Sequence, residues 1–240
     1  MDWNKIKYID CLDEDEGLPS LPDKSVDLAF TDPPWGLGYD YKTHIPRDIK
    51  KNTAKRHRKH RINYKDEWNP EWNLKWFHEL ERICNNIILV LGRLVYMWWI
   101  RNTEPVDMYI RYYKNGRTPS KISISRHWRP LLVYGKLHRN KPVSDVMEGH
   151  IRSGFLADKR LIHPSMKDVP PAYKLLKALK PKSLIDPFVG SGTFIYAAHM
   201  LNIPWIGYEI EPKYKHDVDL RFQLNHDSPR SISHWFGERK

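Results

Sequence analysis

Short apolar segments alternate with helical segments along most of this chain. The apolar segments are bounded by turn residues, as buried parallel strands are; they are residues 25–31, 86–91, 122–125, 131–134, 183–186 and 205–210. Segments with helical spacing or a proline start lie between them, at residues 71–84, 106–113, 169–179, 193–201 and 212–223. This alternation predicts an α/β fold, with a doubly wound, mostly parallel Rossmann-like sheet and helices on both faces.

The length of the chain, 240 residues, suits a single compact domain. Its longest apolar run, residues 87–100, is interrupted by Arg93 and is shorter than the ~18 to 20 residues that a membrane span needs. No apolar stretch typical of a signal peptide opens the sequence. Cys11 and Cys84 are too few for a disulfide scaffold or a four-cysteine zinc site. We therefore expect a soluble, cytoplasmic protein without a membrane partner or a metal.

The positive charge of the chain is concentrated in one segment. Lysine and arginine number 40 against 29 acidic residues, so the net charge is +11, which favours a polyanionic partner. Residues 42–65 hold ten of these bases and a single acid, Asp48. We expect this insertion to grip a nucleic-acid backbone through Lys50, Lys51, Lys55, Arg56, Arg58, Lys59 and Arg61. A solvated loop without a partner is the alternative.

A glycine-rich loop joins the predicted strand at 183–186 to the helix that follows. It reads Asp186, Pro187, Phe188, Val189, Gly190, Ser191, Gly192 and Thr193. Loops at the carboxyl ends of parallel strands bind ligands, and glycines let the backbone approach them closely. The loop lacks the lysine of a phosphate-binding P-loop and the third glycine of a dinucleotide site. Glu209 ends the next strand, where an acid can accept hydrogen bonds from a ribose, so adenosine without phosphates fits best; a purely structural turn is the alternative.

A second loop with candidate catalytic residues follows the first predicted strand. Asp32, Pro33, Pro34 and Trp35 should lie at the same edge of the sheet as the glycine-rich loop. The prolines lack amide hydrogens, so the Pro33 carbonyl is expected to point outward as a rigid acceptor beside the Asp32 carboxylate. Two acceptors can hold both hydrogens of an exocyclic amine, while Trp35 offers a stacking face. A strand-terminating turn is the alternative.

Together these motifs resemble the beta class of DNA amino-methyltransferases, which use S-adenosylmethionine. The resemblance rests on Asp32-Pro33-Pro34-Trp35, the Asp186 to Thr193 loop, Gly207-Tyr208-Glu209 and the segment His163-Pro164-Ser165-Met166-Lys167. It implies that Asp32 and Pro33 hold the target amine of a flipped base while Trp35 stacks on that base. It also implies that the cofactor is bound by Asp186, Phe188, Gly190, Ser191, Gly192, Thr193 and Glu209, with Ser165 and Lys167 near its methionine end. Asp168 stands where that family usually has a proline.

The resemblance implies one methyltransferase domain over residues 1–240, with the basic insertion at 42–65 and a small target-recognition segment at 137–161. The expected partner is double-stranded DNA, in a cytoplasmic, nucleoid-associated protein. Within that resemblance, aspartate rather than serine at position 32 favours adenine N6 over cytosine N4. An RNA base amino-methyltransferase and a catalytically silent nucleic-acid-binding protein are the other interpretations, and a homodimer and a companion restriction endonuclease are left open.

Overall fold

The computed structural model describes residues 1–35, 68–92, 95–114, 127–137, 144–149, 163 and 167–223. The strands in these residues are β1 (Lys5–Lys7), β2 (Val26–Thr31), β3 (Cys84–Val90), β4 (Asp107–Tyr113), β5 (Trp128–Tyr134), β6 (Val146–Gly149), β7 (Leu184–Asp186) and β8 (Trp205–Tyr208). They form one sheet in the order β1-β8-β7-β2-β3-β5-β4-β6. Within these residues only the pairs β3–β5 and β4–β5 are antiparallel. The predicted mostly parallel α/β architecture is therefore confirmed.

Helices cover both faces of this sheet. They are α1 (Pro70–Ile83), α2 (Tyr96–Asn102), α3 (Val169–Leu179), α4 (Thr193–His199) and α5 (Lys215–Gln223), with short 3-10 helices at Leu18–Ser20 and Pro212–Tyr214. Side chains alternate between faces along a strand, so Leu28 and Phe30 of β2 share a buried cluster with α3 and α4. Ala29 between them belongs to a second cluster, with α1 and α2. The fold is thus doubly wound.

Local sequence explains where α1 begins and which face it buries. Asn69 caps the helix, because its side chain accepts a 3.0 Å hydrogen bond from the amide of Trp72, and Pro70 occupies the first turn, where no amide is needed. Trp76 and Leu80, four residues apart, lie on the buried face. Residues 71–84 were predicted as a helix on this spacing, which the structure confirms to within a residue at each end.

The prediction of a helix at residues 106–113 is wrong, because residues 107–113 form β4. Burial along β4 has the period of two that a strand requires: Tyr109, Arg111 and Tyr113 are buried, whereas Met108 and Tyr112 are exposed. The buried arginine interrupts the apolar pattern by which a strand is recognised, and its partner lies far away in sequence.

Several other elements differ from the sequence-based expectations. β1 and α2 were not predicted, and residues 212–214 are a 3-10 turn ahead of the final helix. Within the segment 137–161, residues 146–149 form β6, which pairs in parallel with β4, while most of that segment and the predicted strand at 122–125 lie outside the described residues. No helix in the described part of the chain is long and apolar enough to cross a membrane.

Candidate active site

The carboxyl ends of β2 and β7 lie side by side at one edge of the sheet. The strands pair in parallel, with Leu28 opposite Leu184. The chain crosses from β2 toward β3 and from β7 toward β8, in opposite directions, and such a switch point opens a crevice where ligands bind. The Thr31 hydroxyl donates a 2.7 Å hydrogen bond to Oδ1 of Asp186. This bond joins the last residues of the two strands that carry the two predicted loops.

Asp32 directly follows β2, and its carboxylate is mostly withdrawn from solvent. Its Oδ2 forms an ion pair with the ammonium of Lys167, and the two side chains are 17% and 14% exposed. Its Oδ1 is buried and accepts no hydrogen bond from any described residue. One carboxylate oxygen is therefore held by a cation, and the other is an acceptor at the switch point.

The indole of Trp35 is fixed beside this carboxylate. Its Nε1 donates a 3.4 Å hydrogen bond to the carbonyl of Val90 at the end of β3. The ring lies so close to Gly92 that a Cβ there would stand 2.8 Å from Cε3 of the indole. Lys167 Nζ and the Arg129 guanidinium carbon lie 5.1 and 5.4 Å from the ring centroid, within the range of cation–π attraction. Pro33 is buried and Pro34 half-buried between Asp32 and Trp35.

Two carboxylates hold the backbone of the glycine-rich loop: Asp186 at its start and Glu209, which follows β8. Oδ1 of Asp186 accepts from the amide of Phe188 at 3.1 Å, and Oε2 of Glu209 accepts from the amide of Gly190 at 2.7 Å. Gly190 has φ +51° and Gly192 has φ +79°, the left-handed region that glycine adopts without a steric penalty. A Cβ on Gly190 would also lie 2.9 Å from Nε2 of His163. Glycine therefore lets the loop make its left-handed turns and pack closely against His163.

Side chains of the loop connect it to the rest of the fold. The Phe188 ring packs against the Trp72 and Trp76 rings of α1, at centroid distances of 5.7 and 5.0 Å. The Ser191 hydroxyl accepts a 3.0 Å hydrogen bond from Arg221 of α5. The Thr193 hydroxyl donates a 3.2 Å bond to the carbonyl of Lys167. Predicted residues of the cofactor loop are therefore brought together with the residue that pairs with Asp32.

Burial dominates the ionisation of the inner groups. It raises the pKa of Asp186 to about 7, against the lowering effect of the Thr31 hydrogen bond. It also raises the pKa of Glu209, although two backbone amides act in the opposite direction, and it lowers the pKa of His163 to about 3. Oδ2 of Asp186 is buried and accepts no hydrogen bond from the described residues. Burial thus disfavours the charged form of Asp186, and a positively charged ligand group beside Oδ2 would favour it.

Some predicted site residues lie outside the described residues. These are Ser165 and the bases Lys50, Lys51, Lys55, Arg56, Arg58, Lys59 and Arg61. Lys167 was predicted to lie near the methionine end of a cofactor, and its amine is paired with Asp32; its role toward a cofactor stays a prediction. In the described part of the chain no group of three or more histidine, cysteine and acidic side chains could hold a metal.

Sequence reasoning missed three residues that shape this site. Gly92 follows a predicted strand, which was a signal that the backbone there is closely approached. Arg129 stands beside Pro130 in a segment without a motif. Arg111, which pairs with Asp168, lay inside the segment wrongly predicted as a helix.

Comparison with known proteins agrees with the geometry. A family model described as DNA methylase, of the N6/N4 type, matches residues 26–219. A Type II methyltransferase of Methanocaldococcus jannaschii, M.MjaVI, is 43% identical over 42 residues, which are 18% of this chain and 22% of that relative. The chain thus spans about a fifth of that relative's length in this match.

Solved structures share the fold at low identity. The crystal structure of the M1.HpyAVI–SAM complex is 16% identical, with a TM-score of 0.60 over 91% of this chain and 98% of that one. The cytosine-N4-specific PvuII DNA methyltransferase is 15% identical, with a TM-score of 0.58 over 94% and 88%. TTHA0409 of Thermus thermophilus, complexed with S-adenosyl-L-methionine, is 18% identical, with a TM-score of 0.55 over 93% and 95%.

Proposed function

The chain belongs to the DNA methylase family of the N6/N4 type, and from that membership we propose that it transfers a methyl group from S-adenosylmethionine to an exocyclic amine in double-stranded DNA. The observation that carries this proposal is the bond between Thr31 and Asp186. It brings an acceptor for an amine, Asp32, next to a loop suited to an adenosine ligand. Each loop alone has a structural explanation, whereas their junction at a switch point is the arrangement that a two-substrate transfer needs.

The described residues fit the donor on two counts. Glu209 directly follows β8, and its two oxygens accept from the amides of residues 190 and 211. Each oxygen keeps a lone pair for a ribose hydroxyl. The buried Oδ2 of Asp186 has no hydrogen-bond partner among the described residues and would accept from the ammonium of the methionine part. When bound, S-adenosylmethionine supplies a methyl group on a positively charged sulfur.

The complete set of residues that we assign to donor binding is Asp186, Phe188, Gly190, Ser191, Gly192, Thr193 and Glu209, with Ser165 and Lys167 as further contacts. Phe188 forms a wall that α1 supports through Trp72 and Trp76. Because contacts within the protein hold this wall and the left-handed glycines, the loop is preorganised. Preorganisation lowers the entropy that binding must overcome.

The acceptor half of the reaction follows from the turn after β2. Oδ1 of Asp32 and the carbonyl of Pro33 each accept one hydrogen of the target amine, which favours the pyramidal nitrogen needed for attack. As the nitrogen–carbon bond forms and the carbon–sulfur bond breaks, positive charge develops on the nitrogen, and the Asp32 carboxylate stabilises it. The methylated nitrogen then gives its proton to water. Trp35 stacks on the base, which must leave the duplex to reach this site.

Adenine N6 is the proposed target, because aspartate rather than serine begins the Asp32-Pro33-Pro34-Trp35 motif. Cytosine N4 presents the same two hydrogens, so it is the second candidate. The basic insertion at 42–65 is assigned to the flanking phosphates, and double-stranded DNA is the proposed partner.

Labelled methyl transfer tests this function. We expect tritium from the methyl group of S-adenosylmethionine to appear in unmethylated double-stranded DNA, and nucleoside analysis to find N6-methyladenine. Asp32→Ala should lower kcat by ~10² to 10³, as loss of one preorganised transition-state partner does, and should keep donor affinity. Asp2→Ala, which removes an acid from an exposed ion pair with Lys5, is the matched control and should be fully active.

Other outcomes of the methyl-transfer assay would change or overturn the proposed function. N4-methylcytosine would keep the enzyme class and correct the base. Methyl transfer to RNA alone, or no transfer with either polymer, would overturn the proposal. So would an Asp32→Ala protein with a normal kcat.

A further inference from the structure

Asp168, the residue after Lys167, forms a buried ion pair with Arg111. Arg111 of β4 and Asp168 are 3% and 5% exposed. One guanidinium nitrogen of Arg111 donates both to the Asp168 carboxylate and, at 3.2 Å, to the Asp168 carbonyl. A Cβ on Gly149 of β6 would lie 2.8 Å from Oδ2 of Asp168. Asp168 is therefore enclosed by two neighbouring strands of the sheet.

The position of Asp168 would normally be explained as a helix cap. It is the N-cap residue of α3, yet its side chain makes no capping hydrogen bond. A capping carboxylate accepts from the second or third amide of the helix, and those positions here are Pro170 and Pro171, which have no amide hydrogen. The sequence thus leaves the Asp168 carboxylate no capping bond to make, and Arg111 takes it.

Net stability is a weak explanation for such a pair. Desolvation of two charges offsets most of their attraction, so a buried ion pair often adds little to the free energy of unfolding. What the pair does is fix geometry. It anchors the residue after Lys167 to β4, while Thr193 of α4 holds the carbonyl of Lys167 itself. The backbone of Lys167 is therefore held from two sides, with its ammonium on Oδ2 of Asp32.

We infer that the Arg111–Asp168 pair is a positioning device for catalysis: it sets Lys167 on Oδ2 of Asp32, so that the carboxylate presents its Oδ1 to the target amine. This inference rests on the proposed function. Arg111 and Asp168 act through Lys167, and Lys167 acts through Asp32. A rotated carboxylate would aim neither lone pair of Oδ1 at the amine, and small displacements of this kind cost large factors in rate.

A double-mutant cycle tests the inference. Arg111→Met with Asp168→Ala removes both charges together, which avoids leaving one buried charge unpaired. We expect kcat for methyl transfer to unmethylated DNA to fall ~10- to 100-fold, a larger factor than any rise in the Kd for S-adenosylmethionine, to which Lys167 is also assigned. Lys167→Met should lower kcat at least as much. In the Lys167→Met background, the double change should alter kcat by less than about twofold, the range within which independent changes normally scatter.

A control separates positioning from general destabilisation. Arg82 donates to the carbonyls of Leu18, Pro19 and Leu21. It lies next to the start of β3, at the edge of the sheet opposite the site, so Arg82→Met should lower the unfolding temperature without changing kcat. If the kcat losses of the pair and of Lys167 multiply independently, the inference is overturned. It is overturned as well if Lys167→Met raises the Kd for the donor and leaves kcat intact. A wild-type protein without any transferase activity would instead defeat the proposed function.

Discussion

Gly92 has no side chain, and the indole of Trp35 occupies the space that one would need. A Cβ at position 92 would stand 2.8 and 2.9 Å from two carbons of the ring, closer than carbon atoms pack. The ring is rigid and its Nε1 is bonded to Val90, so the whole indole would have to move. The position of Trp35 therefore depends on the lack of a side chain at position 92 as well as on its hydrogen bond to Val90.

With Trp35 in its proposed role as the stacking platform for the base, we expect Gly92→Ala to lower kcat about 10- to 100-fold, because a displaced ring would misplace the base. Steady-state kinetics with DNA in excess would measure it. Trp35→Phe has a smaller ring that tolerates the added methyl group, so the pair Trp35→Phe with Gly92→Ala should be no worse than Trp35→Phe alone. Additive losses would mean that position 92 acts by another route.

Asp186 carries a pH dependence of its own. Its pKa is raised to about 7 in the folded protein by burial, whereas an unfolded aspartate titrates near ~3.9. The folded state therefore binds more protons between these values, and the contribution of this group to stability is greatest at low pH and is lost as the pH rises toward 7.

In Asp186→Asn this contribution should be absent. We expect the unfolding free energy of the wild type minus that of Asp186→Asn to fall as the pH is raised from about 4.5 to 7, and to level off above that range. Urea denaturation at a series of pH values would measure both proteins. A difference that rises with pH would show that the folded pKa lies below the unfolded one.

At the scale of an element, α1 links helix stability to the donor loop. Asn69 accepts from the amide of Trp72, and Trp72 packs against Phe188. Asn69→Ala should lower the unfolding free energy by about 0.5 to 2 kcal/mol, the usual cost of a lost cap. Asn69→Asp, which keeps an acceptor, should stay within a few tenths of a kcal/mol in chemical denaturation. Equal losses in both variants would show that the capping bond contributes nothing.

Elements whose burial is local could be predicted from the sequence. Residues 169–179 and 183–186 present their apolar side chains at regular spacing, and the structure has α3 and β7 there. β4 could not be predicted, because one of its inward positions is Arg111, which is buried only through a partner 57 residues away. β1 has three residues, two of them lysines, and forms a strand only because β8 offers an edge.

For the whole molecule, the two loops of the site could be predicted because parallel strands end at a common edge. Asp32 and Asp186 were placed by that rule alone. The contacts that position the side chains of the site could not be predicted, since the proximity of Gly92 to Trp35 and of Lys167 to Asp32 depends on how several elements pack. Motifs report which groups take part, and packing decides which atom of each faces the substrate.

The order of strands in the sheet limits when the site can assemble as the chain is synthesised. β2 pairs with β3, the next strand along the chain, but its other neighbour is β7, and the bond between Thr31 and Asp186 spans 155 residues. Contacts of such long range form late and slowly. Until β7 and β8 have emerged, the growing chain has one half of its substrate crevice and no wall opposite it. A chain whose synthesis has not reached residue 186 therefore lacks one of the two strands between which the site forms.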